Sequence, residues 1–509
     1  MATPTGVYLL NQFKGLNRLG DIYNMAPAWA WDLKNGYLKK TEDGRGSIQQ
    51  RGGLTKYNTT TIGATTKIRY QFEAKWNSGS RTNIIRAGTA WYKYNTGTSD
   101  YDSLDGSRGA DAQGQAVMWE NQLVMTDGGV PRKCSSAFSV SNLSTDAAMP
   151  TDATAVHVHK FRMWLNSAGS PMKVYGSKVS DATSATAWSA SNDAVTLDLS
   201  HVLPVGDTVI GFDTAADTLL VIYCKNNVVI YNAPTTYTSI ELVQKVPVSC
   251  LSRFGCVSIG NQICFPSLMG VKNLQSSTTT QRLDVDDLSK LINPYYRDLI
   301  ANTSDKTSIC GVFSNMHNHY YLTIHDSHET NTLVYSSDFG NYVGRYTFHV
   351  NPYSWMEGFD GTLYIGGDNG FVYTYSDTVY TDDSVTIPFV WQTPYLGIDT
   401  PDRFKSPREL QALIKTNLAV SIFVDYWYPP GDKATASTTL TLTMTPATSQ
   451  WGSAEWGVAP WGGQLTDIIK NYDLIGRGQL IGLKVYHNTN GANINIAYLF
   501  LKTILEGNK

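Results

Sequence analysis

The densest group of side chains that could carry out chemistry lies between residues 317 and 329. Imidazole and carboxylate groups are zinc ligands, so a metal centre is the chemistry that this group would serve. His317 and His319 are two residues apart on a predicted strand and share one face of it, while the other members follow at its far end. One tetrahedral centre would need a sharp reversal of the chain. We therefore expect solvated strand and loop residues, with no bound metal or other cofactor, at His317, His319, His325, Asp326, His328 and Glu329.

A second acidic group could begin a calcium-binding loop. Asp284, Asp286 and Asp287 are suitably close in sequence, but the glycine and the closing glutamate of such a loop do not follow in register. Acidic residues also stabilise the amino terminus of a helix through its dipole. We interpret these three residues as helix-terminal charges.

A possible sign of glycoside hydrolysis lies at residues 336–342. This segment resembles the Asp-box turn of sialidase-like propellers, Ser-x-Asp-x-Gly-x-Thr-Trp, but it lacks the Thr and the Trp. The sequence contains no Walker-type phosphate loop, no Gly-x-Ser-x-Gly elbow and no His-Glu-x-x-His motif. We therefore predict that the protein is not an enzyme, and a sialidase-like hydrolase is the least favoured alternative.

The elements around these residues form a recurring unit of strand, polar turn and strand. Its clearest copy runs from Asp360 to Tyr375, where Asp-Gly and Asn-Gly pairs favour tight turns between alternating strands. Copies start roughly 40 or 60 residues apart, which is typical of propeller blades with insertions. The other copies are Asn83 to Tyr94, Glu120 to Val130, Lys160 to Tyr175, Asp217 to Tyr231, Asn261 to Leu274 and Asn318 to Tyr335.

Composition supports the same fold class. The 509 residues are 42% hydrophobic and 16% charged, as in an ordered globular protein, and they include 43 Gly, 30 Tyr and 13 Trp. These residue types favour strands and turns over helices. The sequence therefore predicts an all-β fold, a β-propeller of about six to seven blades with an amino-terminal arm and a carboxy-terminal β-sandwich-like domain.

Three regions follow from where the repeat begins and ends. Residues 1–60 are predicted to be an ordered arm outside the blades, 61–380 the propeller, and 381–509 the sandwich-like domain. A short helical insertion is predicted near 284–300, divided into two short helices by Pro294.

Charge and hydrophobicity limit the partners and the location. The formal net charge is −3 and the basic residues are scattered, so tight binding to nucleic acid is not expected. Polar residues interrupt the apolar stretch Val7 to Leu10, so we expect no signal peptide and synthesis in the cytoplasm. No apolar run approaches the ~20 residues of a membrane span.

The order of the parts resembles one protein family, the tail nozzle or stabilisation proteins of short-tailed bacteriophages. The resemblance rests on an amino-terminal pattern followed by blades and then by a Trp-Gly-rich carboxy-terminal region. The amino-terminal pattern consists of Phe13-Lys14-Gly15-Leu16-Asn17, Asp21, Asn35-Gly36 and Arg51-Gly52-Gly53. Each of these motifs is short.

The resemblance implies a structural virion protein of the short tail. Such proteins form a homo-oligomeric, hexameric ring below the portal and adaptor proteins, near the tail fibres. The ring retains the genome and conducts DNA during ejection. A slightly acidic chain would let DNA pass without specific binding. Contact with the host surface is a further possibility that the sequence leaves open.

Surfaces for such an assembly are predicted on the amino-terminal arm, on the insertion from Asp284 to Ile300 and on the aromatic loop from Trp451 to Trp461. Tryptophans spaced by five in a glycine-rich run either cover the edge of the last domain or anchor a partner. The interface candidates are Asp284, Asp287, Tyr295, Tyr296, Trp451, Trp456 and Trp461. The alternative function is a receptor- or glycan-binding propeller, whose exposed aromatic rings would stack on sugars.

Overall fold

The computed structural model describes residues 5–40, 46–62, 66–106, 108, 111–215, 218–276, 283–397, 404–428, 438–444 and 466–505. Most of these residues lie in antiparallel β-sheets. Among them, the only α-helix is Asn293–Ala301. Single 3-10 turns occupy Ala190–Asn192, Leu199–His201, Tyr237–Ser239, Arg253–Gly255, Lys290–Ile292 and Lys306–Ser308.

Seven four-stranded antiparallel units follow one another along the chain, and we number them blades 1 to 7. Blades 1 to 5 are separate sheets, whereas blades 6 and 7 are parts of larger ones. Six of the seven predicted strand-turn-strand units supply the second and third strands of one blade, while the unit Glu120 to Val130 contains the second strand of blade 2 and ends before the third. Blades 1 to 3 comprise Ile68–Lys75, Arg81–Ala87, Ala90–Asn95 and Asp100–Asp105; Gln115–Trp119, Gln122–Thr126, Arg132–Cys134 and Val140–Asn142; and Val156–His159, Arg162–Asn166, Lys173–Gly176 and Val195–Asp198.

Blades 4 to 7 continue the same order. Their strands are Val209–Ala215, Leu219–Cys224, Val228–Asn232 and Glu241–Val246; Val257–Ile259, Gln262–Ser267, Gly270–Ser276 and Leu283–Asp287; Cys310–Ser314, His319–His325, Thr330–Ser336 and Asn341–Tyr346; and Ser354–Glu357, Leu363–Gly366, Val372–Ser376 and Gly53–Lys56.

The first strands of successive blades meet around a central axis. They contact one another in order, with the 3-10 turn Arg253–Gly255 completing the contact between blades 4 and 5. The circle closes between blades 7 and 1, where Ser354 Oγ donates to the carbonyl of Ile68 at 2.7 Å. The predicted all-β propeller is confirmed, and its blades number seven.

Turn chemistry explains why the strands reverse where they do. Glu120 and Asn121 have φ of 43° and 62°, the pair of positive values that a type I′ hairpin requires. Gly361 and Gly370 have φ of 83° and 79°, as expected from the Asp-Gly and Asn-Gly pairs. Each turn therefore fixes the register of its blade.

Hydrophobic layers lie between neighbouring blades. Trp164 of blade 3 is fully buried in a cluster with Leu220 and Ile222 of blade 4. Truncating a buried aromatic side chain of this kind costs about 3–5 kcal/mol. Packing between blades, together with strand pairing within them, therefore holds the ring.

The amino-terminal segment is not separate from the blades. Gly53–Lys56 pairs antiparallel with Val372–Ser376 and forms the outer strand of blade 7. The expectation of an arm over residues 1–60 outside the blades is therefore wrong for this strand. Sequence position gives no sign of a pairing that spans more than 300 residues.

Strands from both ends of the chain form the region beyond the propeller. One sheet extends blade 6 outward from its last strand, in the order Asp32–Lys34, Phe389–Gln392, Gly482–His487, Val420–Trp427 and Thr438–Met444. A second sheet has the order Thr466–Asp473, Lys405–Thr416, Ile494–Leu505, Gly46–Gln50 and Gly36–Lys40, with Thr5–Leu10 also paired to Ile494–Leu505.

A shared core joins the two sheets to blade 6. Leu33, Ile414 and Val485 are buried in the same hydrophobic cluster as Tyr320 and Leu322 of that blade. One continuous hydrophobic core therefore joins the sandwich-like region to the propeller. Short strands complete the fold at Gly15–Leu16, Trp29–Ala30, Thr381–Asp382 and Val385–Thr386.

The insertion near 284–300 differs from the prediction. Leu283–Asp287 is the outer strand of blade 5, and its pairing with Gly270–Ser276 overrides the helical spacing read from the sequence. Pro294 lies in the first turn of the one helix, Asn293–Ala301, and does not divide two helices. No helix in the described residues is long and apolar enough to cross a membrane.

Candidate functional site

The predicted interface carboxylates lie on and beside the outer strand of blade 5. Asp284 is exposed on this strand. Asp287 is half-buried and pairs with Lys272 Nζ at 2.9 Å, while its carboxylate also accepts from Ser289 and Asn293. Burial opposes its charge, but these donors hold the pKa of Asp287 below its ordinary value. Asp287 therefore organises its own turn, and of the two predicted carboxylates only Asp284 is exposed.

The two predicted interface tyrosines both contact their own chain. Tyr296 is fully buried, and its hydroxyl donates to the carbonyl of Ser267 at 2.8 Å. Tyr295 is half-buried, and its ring lies 5.2 Å from the guanidinium carbon of Arg18. Tyr296 is therefore unavailable to a partner. Trp451, Trp456 and Trp461 lie outside the described residues.

The histidine group is dispersed through blade 6. His319 is 5% exposed and lies edge-on to Tyr37 and Tyr321; burial, with the nearby His317, lowers its pKa to about 4. His325 stacks on Tyr353 with ring centroids 4.3 Å apart, and burial lowers its pKa to about 4.

The remaining members of this group face other partners. His317 Nε2 lies 3.2 Å from a carboxylate oxygen of Asp377, and His328 is exposed. Asp338 belongs to the segment that resembles an Asp-box, and it accepts a weak hydrogen bond from Asn318 in a surface turn, at 3.4 Å. Within the described ranges, no three His, Cys, Asp or Glu side chains are placed to hold a metal ion.

The motif residues Asn35 and Arg51 come together where the propeller meets the sandwich-like region. Arg51 is 1% exposed and donates through both terminal nitrogens to Asp382, at 2.8 and 2.5 Å. It also donates to the carbonyls of Gly52 and Thr347, at 2.7 and 2.6 Å, and through Nε to Asn35 Oδ1 at 3.0 Å. The guanidinium therefore has a full set of acceptors, and we call this group the junction core.

The junction core also includes contacts of Asn35 with two segments that are distant in sequence. The Asn35 side chain donates to Thr347 Oγ1 and to the carbonyl of Pro388. Its Oδ1 accepts from the backbone of Thr347 at 2.8 Å. The second half of the amino-terminal pattern therefore forms one buried polar cluster.

Glycines of the same motif permit close backbone approach. A Cβ on Gly52 would lie 2.2 Å from the carbonyl oxygen of Ser376, and one on Gly53 would lie 2.1 Å from that of Thr381. A side chain at either position would push the closing strand away from its neighbours.

A second charged group lies on the outer side of the junction. Arg345 donates through Nε and Nη2 to Asp32, at 2.9 and 3.0 Å, and through Nη1 to Glu329 at 3.1 Å. Burial opposes the charge of Asp32, but the hydrogen bonds and positive charge of Arg345 outweigh burial and lower its pKa. Lys34 also pairs with Glu329, at 2.5 Å.

The central channel of the propeller contains a cavity of about 230 Å³. Its walls come from the inner strands of blades 1, 2, 6 and 7 and from the turn that enters blade 5. The polar side chains on these walls include Arg69, Gln71, Gln115, Arg253, Tyr353 and Ser354. Sequence reasoning missed this cavity because its residues are far apart along the chain and share no motif.

A second cleft, of about 290 Å³, lies beside blades 1 and 7. The ring of Tyr57 stacks on Tyr94 with centroids 4.3 Å apart and meets Tyr364 edge-on at 5.0 Å. Arg81 and Lys93 also line this cleft. Aromatic faces beside charged donors are suited to stacking and hydrogen bonding with a polar ring.

Comparisons with known proteins leave the family open. No family model and no curated protein matches the chain. A streptogramin B lyase structure aligns with a TM-score of 0.43 at 11% identity, covering 64% of this chain and 98% of that one. An extracellular domain from B. thetaiotaomicron aligns with a TM-score of 0.41 at 10% identity, covering 64% of this chain and 39% of that one. The assignment of a propeller fold rests on the seven blades and on the contacts between their first strands.

Proposed function

We propose that this chain is a structural, non-enzymatic component of a short bacteriophage tail, forming part of the nozzle ring. The ring would retain the genome and conduct DNA during ejection. Its partners would be further copies of the chain in a hexamer, the portal and adaptor proteins, and the tail fibres. The chain would be made in the host cytoplasm and reside in the virion.

The junction core is the observation that carries this proposal. The Asn35-Gly36 and Arg51-Gly52-Gly53 motifs, on which the resemblance to nozzle proteins rests, form a buried cluster that binds blades 6 and 7 to the sandwich-like region. Thr5–Leu10 and Ile494–Leu505, from opposite ends of the described chain, also pair with each other in one sheet of that region. Such interlocking suits a wall element that must keep its shape under load.

Charge supports transit of DNA past this wall. The net charge of −3 provides no excess of cations to grip phosphates. Many of the buried or half-buried arginines are also committed to carboxylates, as at Arg51, Arg69 and Arg345.

Electron microscopy of the assembled source particle tests the proposal. The expected result is a six-fold ring of this chain at the tail, with the propeller fitted as one body. Particles assembled without the chain should lose DNA and infectivity. A strictly monomeric chain in the particle, or its absence from the tail, would overturn the proposal.

The cleft beside Tyr57 favours a second candidate, a glycan-binding propeller. Stacked and edge-on tyrosines next to Arg81 and Lys93 offer both a ring face and hydrogen-bond donors. On a glycan array, the full chain should then bind a defined sugar, and Tyr94→Ala should abolish binding. The matched control is Tyr23→Ala, at a partly exposed tyrosine of another region. Absence of binding by the unaltered chain would remove this candidate.

A further inference from the structure

The cavity in the central channel contains a cation without a counter-ion. Arg253 lies in the 3-10 turn Arg253–Gly255, packed on the ring of Phe254 with its guanidinium carbon 4.4 Å from the centroid. The accessible part of this side chain lines the cavity. The turn is itself fixed, because Ser252 Oγ accepts from the backbone of Phe254 at its amino end.

The hydrogen bonds of Arg253 leave most of its donors free. Nη1 donates to the carbonyl of Ile210 at 3.3 Å, while Nε is buried and has no partner. Across the described part of the chain, no carboxylate forms an ion pair with it. Burial lowers the pKa of Arg253 to about 10, so it remains positively charged at neutral pH.

The neighbouring charges do not neutralise it. Arg69, also on the cavity wall, is already paired with Asp111, at 3.1 and 2.8 Å. A half-buried guanidinium without a counter-ion carries a desolvation cost, so an anion that reaches it is favoured. The cavity therefore has both the space and the charge for an anionic ligand.

A hydrogen-bond acceptor on the walls of the same cavity indicates which chemical group the ligand would need. Gln71 Nε2 donates to the backbone carbonyl and to the hydroxyl of Ser354, at 3.3 and 3.1 Å, which orients its amide. The opposite atom, Oε1, is buried without a donor. A ligand with an anionic oxygen for Arg253 and a hydroxyl for Gln71 would satisfy both groups.

We infer that the central channel is a binding site for a small oxyanion that also carries a hydroxyl group, with Arg253 as its cationic ligand and Gln71 as its acceptor. Hydrogen phosphate and small hydroxycarboxylates share this chemistry. The site stands apart from the proposed tail assembly, because it requires only the propeller itself.

Calorimetric titration of the full chain tests the site, using phosphate, glycolate, acetate and sulfate as probes at fixed ionic strength. Phosphate or glycolate should bind, and the stronger of the two identifies the source. Acetate and sulfate, which lack a hydroxyl at neutral pH, should bind more weakly. Equal binding of all four probes would overturn the assignment of Gln71, and binding of none would overturn the site.

Variants separate the site from general charge effects. Arg253→Gln should weaken binding of the preferred probe at least about ten-fold. Arg297→Gln, at an exposed arginine of the helix, should bind like the unaltered chain. Circular dichroism without ligand should show that Arg253→Gln is folded. Undiminished binding by a folded Arg253→Gln variant would contradict the inference, and Arg253→Lys, which keeps the charge, should retain weakened binding if the first variant does not fold.

Discussion

Arg51, which is buried, and Arg253, which is half-buried, show how differently the junction and the channel use the same side chain. In the junction core, Arg51 directs donors to five acceptors, including both oxygens of Asp382. In the channel, Arg253 has one long hydrogen bond, to a backbone carbonyl. The first arrangement consumes the whole hydrogen-bonding capacity of the guanidinium, whereas the second leaves it available. Arg51 is therefore committed to the structure of the junction, whereas Arg253 keeps donors for the ligand that we propose.

Removing the paired arginine should give the largest effect. Arg51→Met leaves Asp382 buried without its partner, so the free energy of unfolding should fall by about 3–5 kcal/mol. Urea denaturation followed by tryptophan fluorescence measures this change. Lys290→Met is the control, because Lys290 and Asp286 are both 63% exposed and solvent screens their ion pair. Equal effects of the two substitutions would break the comparison.

Adding one carbon atom beside the junction should also be costly. A Cβ at Gly53 would meet the carbonyl of Thr381 at 2.1 Å, and a backbone atom cannot move aside as a flexible side chain can. Gly53→Ala should therefore destabilise the protein by about 1–3 kcal/mol, measured by the same denaturation. Gly20→Ala, with no atom within 4 Å of its Cβ, should have almost no effect. A harmless Gly53→Ala would show that blade 7 closes without this close approach.

Lowering the pH should destabilise the protein at the junction, because His487 is buried there in its neutral form. His487 is 1% exposed, its Nε2 donates to Gln50 Oε1, and its Nδ1 accepts from Thr489. Burial lowers the pKa of His487 from 6.5 to about 4. Between these values the unfolded chain binds a proton that the folded chain excludes, so stability falls as pH falls. At pH 5 this side chain should account for a loss of about 2 kcal/mol.

The measurement is the free energy of unfolding at pH 7 and pH 5 for the unaltered chain and for His487→Gln. The variant should lose less stability on acidification, since it has no proton to take up. His328→Gln, at an exposed histidine, is the matched control and should follow the unaltered chain. Identical pH dependence of all three proteins would rule out this contribution.

Removing the unpaired arginine should give the smallest effect on stability. Arg253→Met eliminates a half-buried charge that lacks a counter-ion, so in the absence of anions the free energy of unfolding should change by less than about 1 kcal/mol or increase. The same urea titration in chloride buffer tests this expectation. A loss as large as that of Arg51→Met would mean that both arginines are structural.

Local features of the fold could be predicted from the sequence. The seven strand-turn-strand units were found because positive-φ turns and alternating strands are encoded by neighbouring residues, as at Gly361 and Gly370. The closing strand Gly53–Lys56 was assigned to an arm because its partner lies over 300 residues away. Strand pairing likewise overrode the helical spacing at 284–287.

The functional groups were less accessible to sequence reasoning. Arg51-Gly52-Gly53 was noted as a motif, but its contacts with Asp382 and Thr347 depend on the meeting of three distant segments. Arg253 belongs to no sequence motif. It stands out only in the structure, because no carboxylate of the described residues forms an ion pair with it. The sequence-based prediction of Tyr296 as an interface residue is wrong, because a sequence does not show which face of a short helix is buried.

The pairing of Gly53–Lys56 with Val372–Ser376 also determines how late in synthesis the ring can close. A ribosome adding about 5–20 residues per second needs roughly 20–60 s to reach the partner strand after making the first. During that interval the early blades can form, but the ring stays open and its first-made strand waits unpaired. Premature termination anywhere before residue 372 would thus release an open ring that cannot close, and such fragments would be targets for chaperones and proteases.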